Sequence, residues 1–202
     1  MKVGIIDYGG GNARSVINAI SFLGKPYVFS NEESRLNECS HLILPGVGSF
    51  GKIMESLKDE RLVDLLNKYV LNEKRYYLGI CVGMQILMEE GEEFGRHCGL
   101  GWIKGKCLKL DAESLFIPHI GWNSVQTDSG LSSLFKDIPA ESCFYFVHSY
   151  AVHLTEKVPS ATCSYGVDFV AAFMKGNIFG VQFHPEKSQK AGLQLLKNFC
   201  GL

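Results

Sequence analysis

Short apolar runs that alternate with helical patterns constrain this chain more than any other feature. "KVGIID" reads as a buried strand ending in a glycine turn, followed by a helix with Val16, Ala19, Ile20 and Leu23 on one face. Asn12 is placed to cap that helix, and Gly24 and Pro26 stop it. "YVF" and "HLILPG" are the next two strands. Leu62, Leu65, Leu66, Tyr69 and Val70 mark a second amphipathic helix, "RYYLGI" a further strand, and "MQILMEE" the start of another helix. Runs that are apolar throughout, rather than alternating, suit strands buried on both faces, so the pattern predicts a parallel sheet covered by helices on each side. After about Gly101 the texture changes to β-like pieces: "WIKGKCLKL", "CFYFVHSY", "ATCSY", "FVAAFMKG" and "IFGVQFH". The last element, "SQKAGLQLLKNF", is a helix with Leu193, Leu196 and Phe199 inward. The expectation is one α/β domain over residues 1–202.

Composition narrows the function classes. A net charge of −1, with 20% charged and 46% hydrophobic residues, gives no footprint for nucleic acid or for a membrane surface. The first residues are too short and polar a run for a signal peptide, and no run is long enough to cross a bilayer. A soluble, cytoplasmic protein is expected. Seven cysteines, none in a C-x-x-C pair, resemble neither a disulfide framework nor a zinc site. His97–Cys98 and His148/His153 lack the closely spaced partners of a metal site, so no metal is expected. "DYGGGN" has Arg14 at the third-glycine position of a dinucleotide loop and no ribose-binding acid, which argues against a nicotinamide cofactor. No cofactor is expected.

One cysteine stands apart. Gly79-Ile80-Cys81-Val82-Gly83 has the form G-x-C-x-G between a strand and a helix, the thiol counterpart of a nucleophile elbow. Glycines on both flanks remove side chains that a sharp strand-to-helix turn cannot hold. A thiol there gains from unpaired N–H groups and the helix dipole, and the Val82 N–H points at any oxyanion beside the sulfur. A buried cysteine in an ordinary βα turn fits the same pentapeptide. A nucleophilic thiol also needs a base with an orienting group. In "GVQFHPEKS", His184 and Glu186 are two apart and project to one side of an extended segment. His148 in "YFVHSY" is a rival base. "LPGVGSF", after the third strand, lies on the edge where α/β ligands bind, and its Gly46 and Gly48 can present N–H groups to an oxyanion.

Together these residues resemble the class I (triad) glutamine amidotransferases, and more narrowly the glutaminase subunits of imidazole glycerol phosphate synthase. The matching pieces are "IIDYGGGN", "LPGVGSF", "GICVGMQIL", "GLGWI", "IPHIGWN", "YFVHSY" and "GVQFHPEKS", in order over nearly the whole chain. The resemblance implies a flavodoxin-like α/β/α sandwich with a mostly parallel central sheet and added β-structure in the second half. It implies a Cys81–His184–Glu186 triad, with an oxyanion hole from the Val82 N–H and the Val47–Gly48 peptide. Glutamine is then held by Gly46, Gln85, Glu93, Ser149 and Tyr150. The partner it implies is a (β/α)8-barrel cyclase of the HisF type, in a heterodimer that takes up the ammonia. Asn12, Trp122, Asn123, Tyr145 and Lys187 match positions facing that partner.

Two positions depart from the family pattern. Val82 follows the cysteine where leucine is common, and Ala13 follows the glycine loop where a larger apolar residue is usual. The first is harmless if the backbone N–H carries the role. Similar paralogues supply ammonia for amidating surface-polysaccharide sugars and keep the same triad. A stand-alone cysteine hydrolase, or a regulatory module with an inert Cys81, are the alternatives from other classes.

Overall fold

The computed structural model describes residues 1–10, 13–112 and 115–202. The expected cap, Asn12, lies outside the described residues. In chain order the first half holds β1 (Val3–Ile6), α1 (Ala13–Phe22), β2 (Tyr27–Ser30), α2 (Glu33–Leu36), β3 (His41–Gly46), α3 (Phe50–Asp59), α4 (Leu62–Leu66), β4 (Tyr76–Cys81) and α5 (Val82–Gln85). The second half holds β5 (Glu90–Gly91), β6 (His97–Cys98), β7 (Gly105–Lys109), β8 (His119–Ser124), β9 (Gln126–Thr127), β10 (Cys143–His148), β11 (Tyr150–Leu154), β12 (Ser160–Tyr165), β13 (Val167–Lys175), β14 (Ile178–Val181) and α6 (Gln189–Phe199).

The main sheet has eight strands in the order β2-β1-β3-β4-β14-β13-β12-β9. From β2 through β14 neighbouring strands are parallel; from β14 outward they are antiparallel. The parallel part runs in the flavodoxin order, first strand between second and third. Right-handed crossovers then fix the helix layers, because β1→β2 and β2→β3 travel in opposite directions along the sheet. α1 lies on one face with α6, which it touches, and α3 packs with α4 and α5 on the other. The parallel strands β1 and β3 are buried at every residue, as runs without alternation predict. A four-stranded sheet, β11-β7-β5-β6, and the β8/β10 hairpin complete the second half.

Two local expectations are corrected. The helix expected through "MQILMEE" is a single turn, Val82–Gln85. The carbonyls of Ile86, Leu87, Met88 and Glu89 accept instead from the N–H groups of Leu100, Ile103, Gly101 and Gly99, so no helical ladder can run through them. Ile86, Leu87 and Met88 are all fully buried, which leaves no solvent face for a surface helix. In α6 it is Leu195, with Leu196 and Phe199, that is buried, while Leu193 is only partly covered. The segment holding Trp122 is a strand paired along its length with β10, and the tryptophan is 47% exposed.

Candidate active site

Three neighbouring parallel strands, β3, β4 and β14, deliver the candidate residues at their carboxyl ends. Gly46 pairs with Cys81 across β3 and β4, and β14 ends three residues before His184. Cys81 sits between β4 and α5 with φ 53° and ψ −112°, a conformation rare outside glycine. Such strain costs about 1–3 kcal/mol and persists only where the surroundings enforce it. Glycine packing does the enforcing. A Cβ on Gly79 would run into the Gly83 carbonyl, one on Gly83 into the Leu44 carbonyl, and one on Gly46 into the Gly83 nitrogen. Bare backbone from β3, β4 and α5 therefore closes around the turn.

His184 and Glu186 are brought to this cysteine. The His184 Nδ1 lies 2.8 Å from Glu186 Oε1, and both side chains are 2% exposed. A carboxylate beside Nδ1 holds the proton there and turns Nε2 outward. Nε2 makes no hydrogen bond of regular geometry, yet the thiol lies close enough to act on the ring. Burial pulls the His184 pKa down, but Cys81 and Glu186 outweigh it and raise it to about 9. The imidazolium is thus favoured, as a thiol–imidazole pair requires if the sulfur is to carry the negative charge. The loop is braced by β10: the His184 N–H donates to the Tyr145 carbonyl at 2.9 Å. Ser188 Oγ donates to the His184 carbonyl at 2.6 Å and accepts from the Tyr145 N–H at 3.0 Å.

A cavity of about 230 Å³ opens over the sulfur. That is smaller than the roughly 300–1,000 Å³ typical of drug-sized ligands, a fit for a small substrate. Gly48, Val82, Gln85, Glu93, Ser149 and Tyr150 line it together with Cys81. His184 and Glu186 lie outside the lining. Gly46 packs beneath the turn rather than into the cavity, and the Val47 N–H faces the Tyr8 hydroxyl at 3.4 Å. Val82 is the first helical residue, so its N–H has no intrahelical partner. Glu93 also caps α3, accepting from the Phe50 N–H at 2.8 Å. Larger hollows elsewhere, of about 290 to 640 Å³, are open grooves without Cys81.

His148 lines the cavity too, but both of its ring nitrogens are engaged. Nε2 meets His119 Nδ1 at 3.0 Å, and Nδ1 meets the Tyr150 carbonyl at 3.0 Å. Burial lowers its pKa to about 3, so it stays neutral. Of the residues expected at a partner surface, Trp122 and Tyr145 meet edge to face at 5.9 Å, with the Lys187 ammonium 5.7 Å from the Tyr145 ring. The Asn123 side chain donates to the Ser164 carbonyl. Among the described residues no group of three His, Cys, Asp or Glu side chains could hold a metal, and no helix is long and apolar enough to cross a membrane.

Sequence reasoning passed over Gln182, which is fully buried with its Nε2 3.6 Å from the Cys81 sulfur. The structure also corrects the extended segment expected here: Pro185–Lys187 is a 3₁₀ turn, and Glu186 reaches His184 within that turn rather than by strand alternation.

The family described as "Glutamine amidotransferase class-I" matches residues 4–201. A relative from Vibrio vulnificus (strain YJ016), named imidazole glycerol phosphate synthase subunit HisH 2, is 43% identical over 201 residues, covering 98% of this chain and 94% of its own. One from Chlorobium luteolum, named the HisH subunit of the same synthase, is 44% identical over 198 residues, covering 97% and 98%. Among solved structures, PurLQS from Thermotoga maritima superposes with a TM-score of 0.78 at 18% identity, covering 99% of this chain and 97% of that one, a likeness of fold.

Proposed function

The chain belongs to the class-I glutamine amidotransferases, and from that premise we propose that it is the glutaminase subunit of an imidazole glycerol phosphate synthase. It hydrolyses glutamine to glutamate and ammonia through a thioester on Cys81. The observation that carries this reading is Cys81 lining a small cavity while His184, paired with Glu186, lies close enough to act on the thiol. The Cys81 thiol gives its proton to His184 Nε2, and the sulfur attacks the carboxamide carbon. The oxyanion that forms is met by the Val82 N–H and the Val47–Gly48 peptide. His184 passes its proton to the leaving nitrogen, the C–N bond breaks, and ammonia departs. Water then adds to the thioester with His184 taking its proton, and the C–S bond breaks to give glutamate and the free thiol. Glu186 holds the imidazole in the required tautomer throughout. Gly46 shapes the turn, while Gln85, Glu93, Ser149 and Tyr150 hold the two ends of glutamine.

The relatives are named as subunits, and the partner is a (β/α)8-barrel cyclase of the HisF type that receives the ammonia. Trp122, Asn123, Tyr145 and Lys187 face it, with Asn12 beyond the described residues. Residues 1–202 act as one amidotransferase domain. Glutamate release from glutamine, measured alone and with a histidine-pathway cyclase plus its nucleotide ligand, tests both parts. Strong stimulation by cyclase and ligand, lost in Cys81→Ala by at least about 1,000-fold, is the expected outcome. Activity in Cys81→Ala near wild type would remove the thioester mechanism. Absent stimulation, with the wild-type glutaminase otherwise active, would point to a different barrel, such as one that amidates a sugar.

A further inference from the structure

We propose that Gln182 is a fixed hydrogen-bond donor to the Cys81 sulfur, holding the nucleophile as thiolate. The elbow needs such a donor, because the helix after Cys81 is one turn long and brings little of the dipole that a full helix would supply. The inference rests on the reading of Cys81 as the nucleophile.

Which end of an amide faces a neighbour is settled by the network around it. Here a single backbone carbonyl settles the whole chain. The Tyr150 carbonyl can only accept, so the nitrogen of the Gln85 amide must face it, at 2.9 Å. The second N–H of that nitrogen points to the Gln182 amide at 3.1 Å, which must therefore present its oxygen. Gln182 Nε2 is then turned to the sulfur, 3.6 Å away. Reversing Gln182 would set two NH₂ groups against each other and leave its oxygen against the sulfur, with no solvent to relieve either, since the residue is fully buried. The backbone is pinned as well: the Gln182 N–H donates to the Ala171 carbonyl at 2.8 Å, directly after β14.

An N–H that faces sulfur in a dry site favours the anion over the thiol. The Val147 carbonyl, 4.0 Å from the sulfur, can accept from a thiol but does nothing for a thiolate. Gln182 and His184, two residues apart in the segment that follows β14, thus both approach Cys81. One supplies a donor that does not titrate, the other a donor that does.

The rate of Cys81 alkylation by iodoacetamide, followed across pH by peptide mass in the full chain, tests this. In Gln182→Met, which keeps length and loses the amide, the alkylation profile should move to higher pH. In the partner complex kcat should fall. A folded Gln182→Met with an alkylation profile superimposable on wild type would overturn the proposal. Should that variant not fold, ¹⁵N spectra of the wild type decide: the Gln182 side-chain amide should titrate with the alkylation midpoint and stop doing so once Cys81 is alkylated. An amide resonance indifferent to both would equally overturn it. Hydrolysis that survives complete alkylation of Cys81 would instead defeat the nucleophile reading itself.

Discussion

At the scale of single residues, the site is a contest over one imidazole. Burial alone would lower the His184 pKa, and Cys81 and Glu186 reverse that to about 9. Removing either neighbour should therefore lower it: in Cys81→Ser and in Glu186→Gln the ring C–H resonances of His184 should titrate at lower pH than in wild type. Unchanged titration in both would mean that the ring draws its proton affinity from elsewhere. The raised value also makes a stability statement. Its contribution is fully present below the unfolded value of about 6.5 and is lost as pH rises through about 9. Residue chemistry of this kind was largely legible beforehand. Gly79, Cys81 and Gly83 show the elbow by their order alone, and the two-residue spacing of His184 and Glu186 marks them as a pair, although a 3₁₀ turn rather than a strand joins them. Gln182 keeps the same spacing but escapes notice, because an amide inside an apolar run suggests no chemistry until its neighbours are known.

At the scale of elements, the β8/β10 hairpin carries a buried pair of neutral histidines. His119 stacks on Tyr165 with ring centroids 4.0 Å apart and meets His148 at 3.0 Å. Burial lowers their pKa values to about 4 and about 3. The unfolded chain therefore binds protons that the folded one refuses. Their contribution to stability is complete above about pH 6.5 and is lost as pH falls toward 4 and then 3. The thermal midpoint should drop over that interval, and less steeply in His119→Leu/His148→Leu, whatever its starting value. Equal slopes would exonerate the pair. This hairpin was not legible as such, since "PHIGWN" contains a glycine and its strand exists through pairing with residues some two dozen positions away. The same limitation explains the helix that stops after Gln85. Its fate is decided by Leu100, Gly101 and Ile103, whose N–H groups capture the carbonyls, and no local pattern encodes that.

At the scale of the whole molecule, the parallel half follows from local rules: buried runs, helices between them, right-handed crossovers. The antiparallel extension through β13, β12 and β9 depends on long-range pairing, and only its β texture could be read in advance. One face shows Ile120 at 60% and Trp122 at 47% exposure beside Tyr145 and Lys187. An exposed tryptophan braced by a neighbouring ring suits the centre of an interface. Trp122→Ala should weaken binding of the barrel cyclase by about 2 kcal/mol, roughly 30-fold, measured by calorimetry; unchanged affinity would move the interface elsewhere. Ser188 gives that face a second meaning. Its one hydroxyl ties the Tyr145 N–H to the His184 carbonyl, so the surface ring and the buried imidazole share a mount. Tyr145 and His184 are thus tied backbone to backbone twice, once directly and once through a hydroxyl, so that the outer ring and the inner one stand on a common footing.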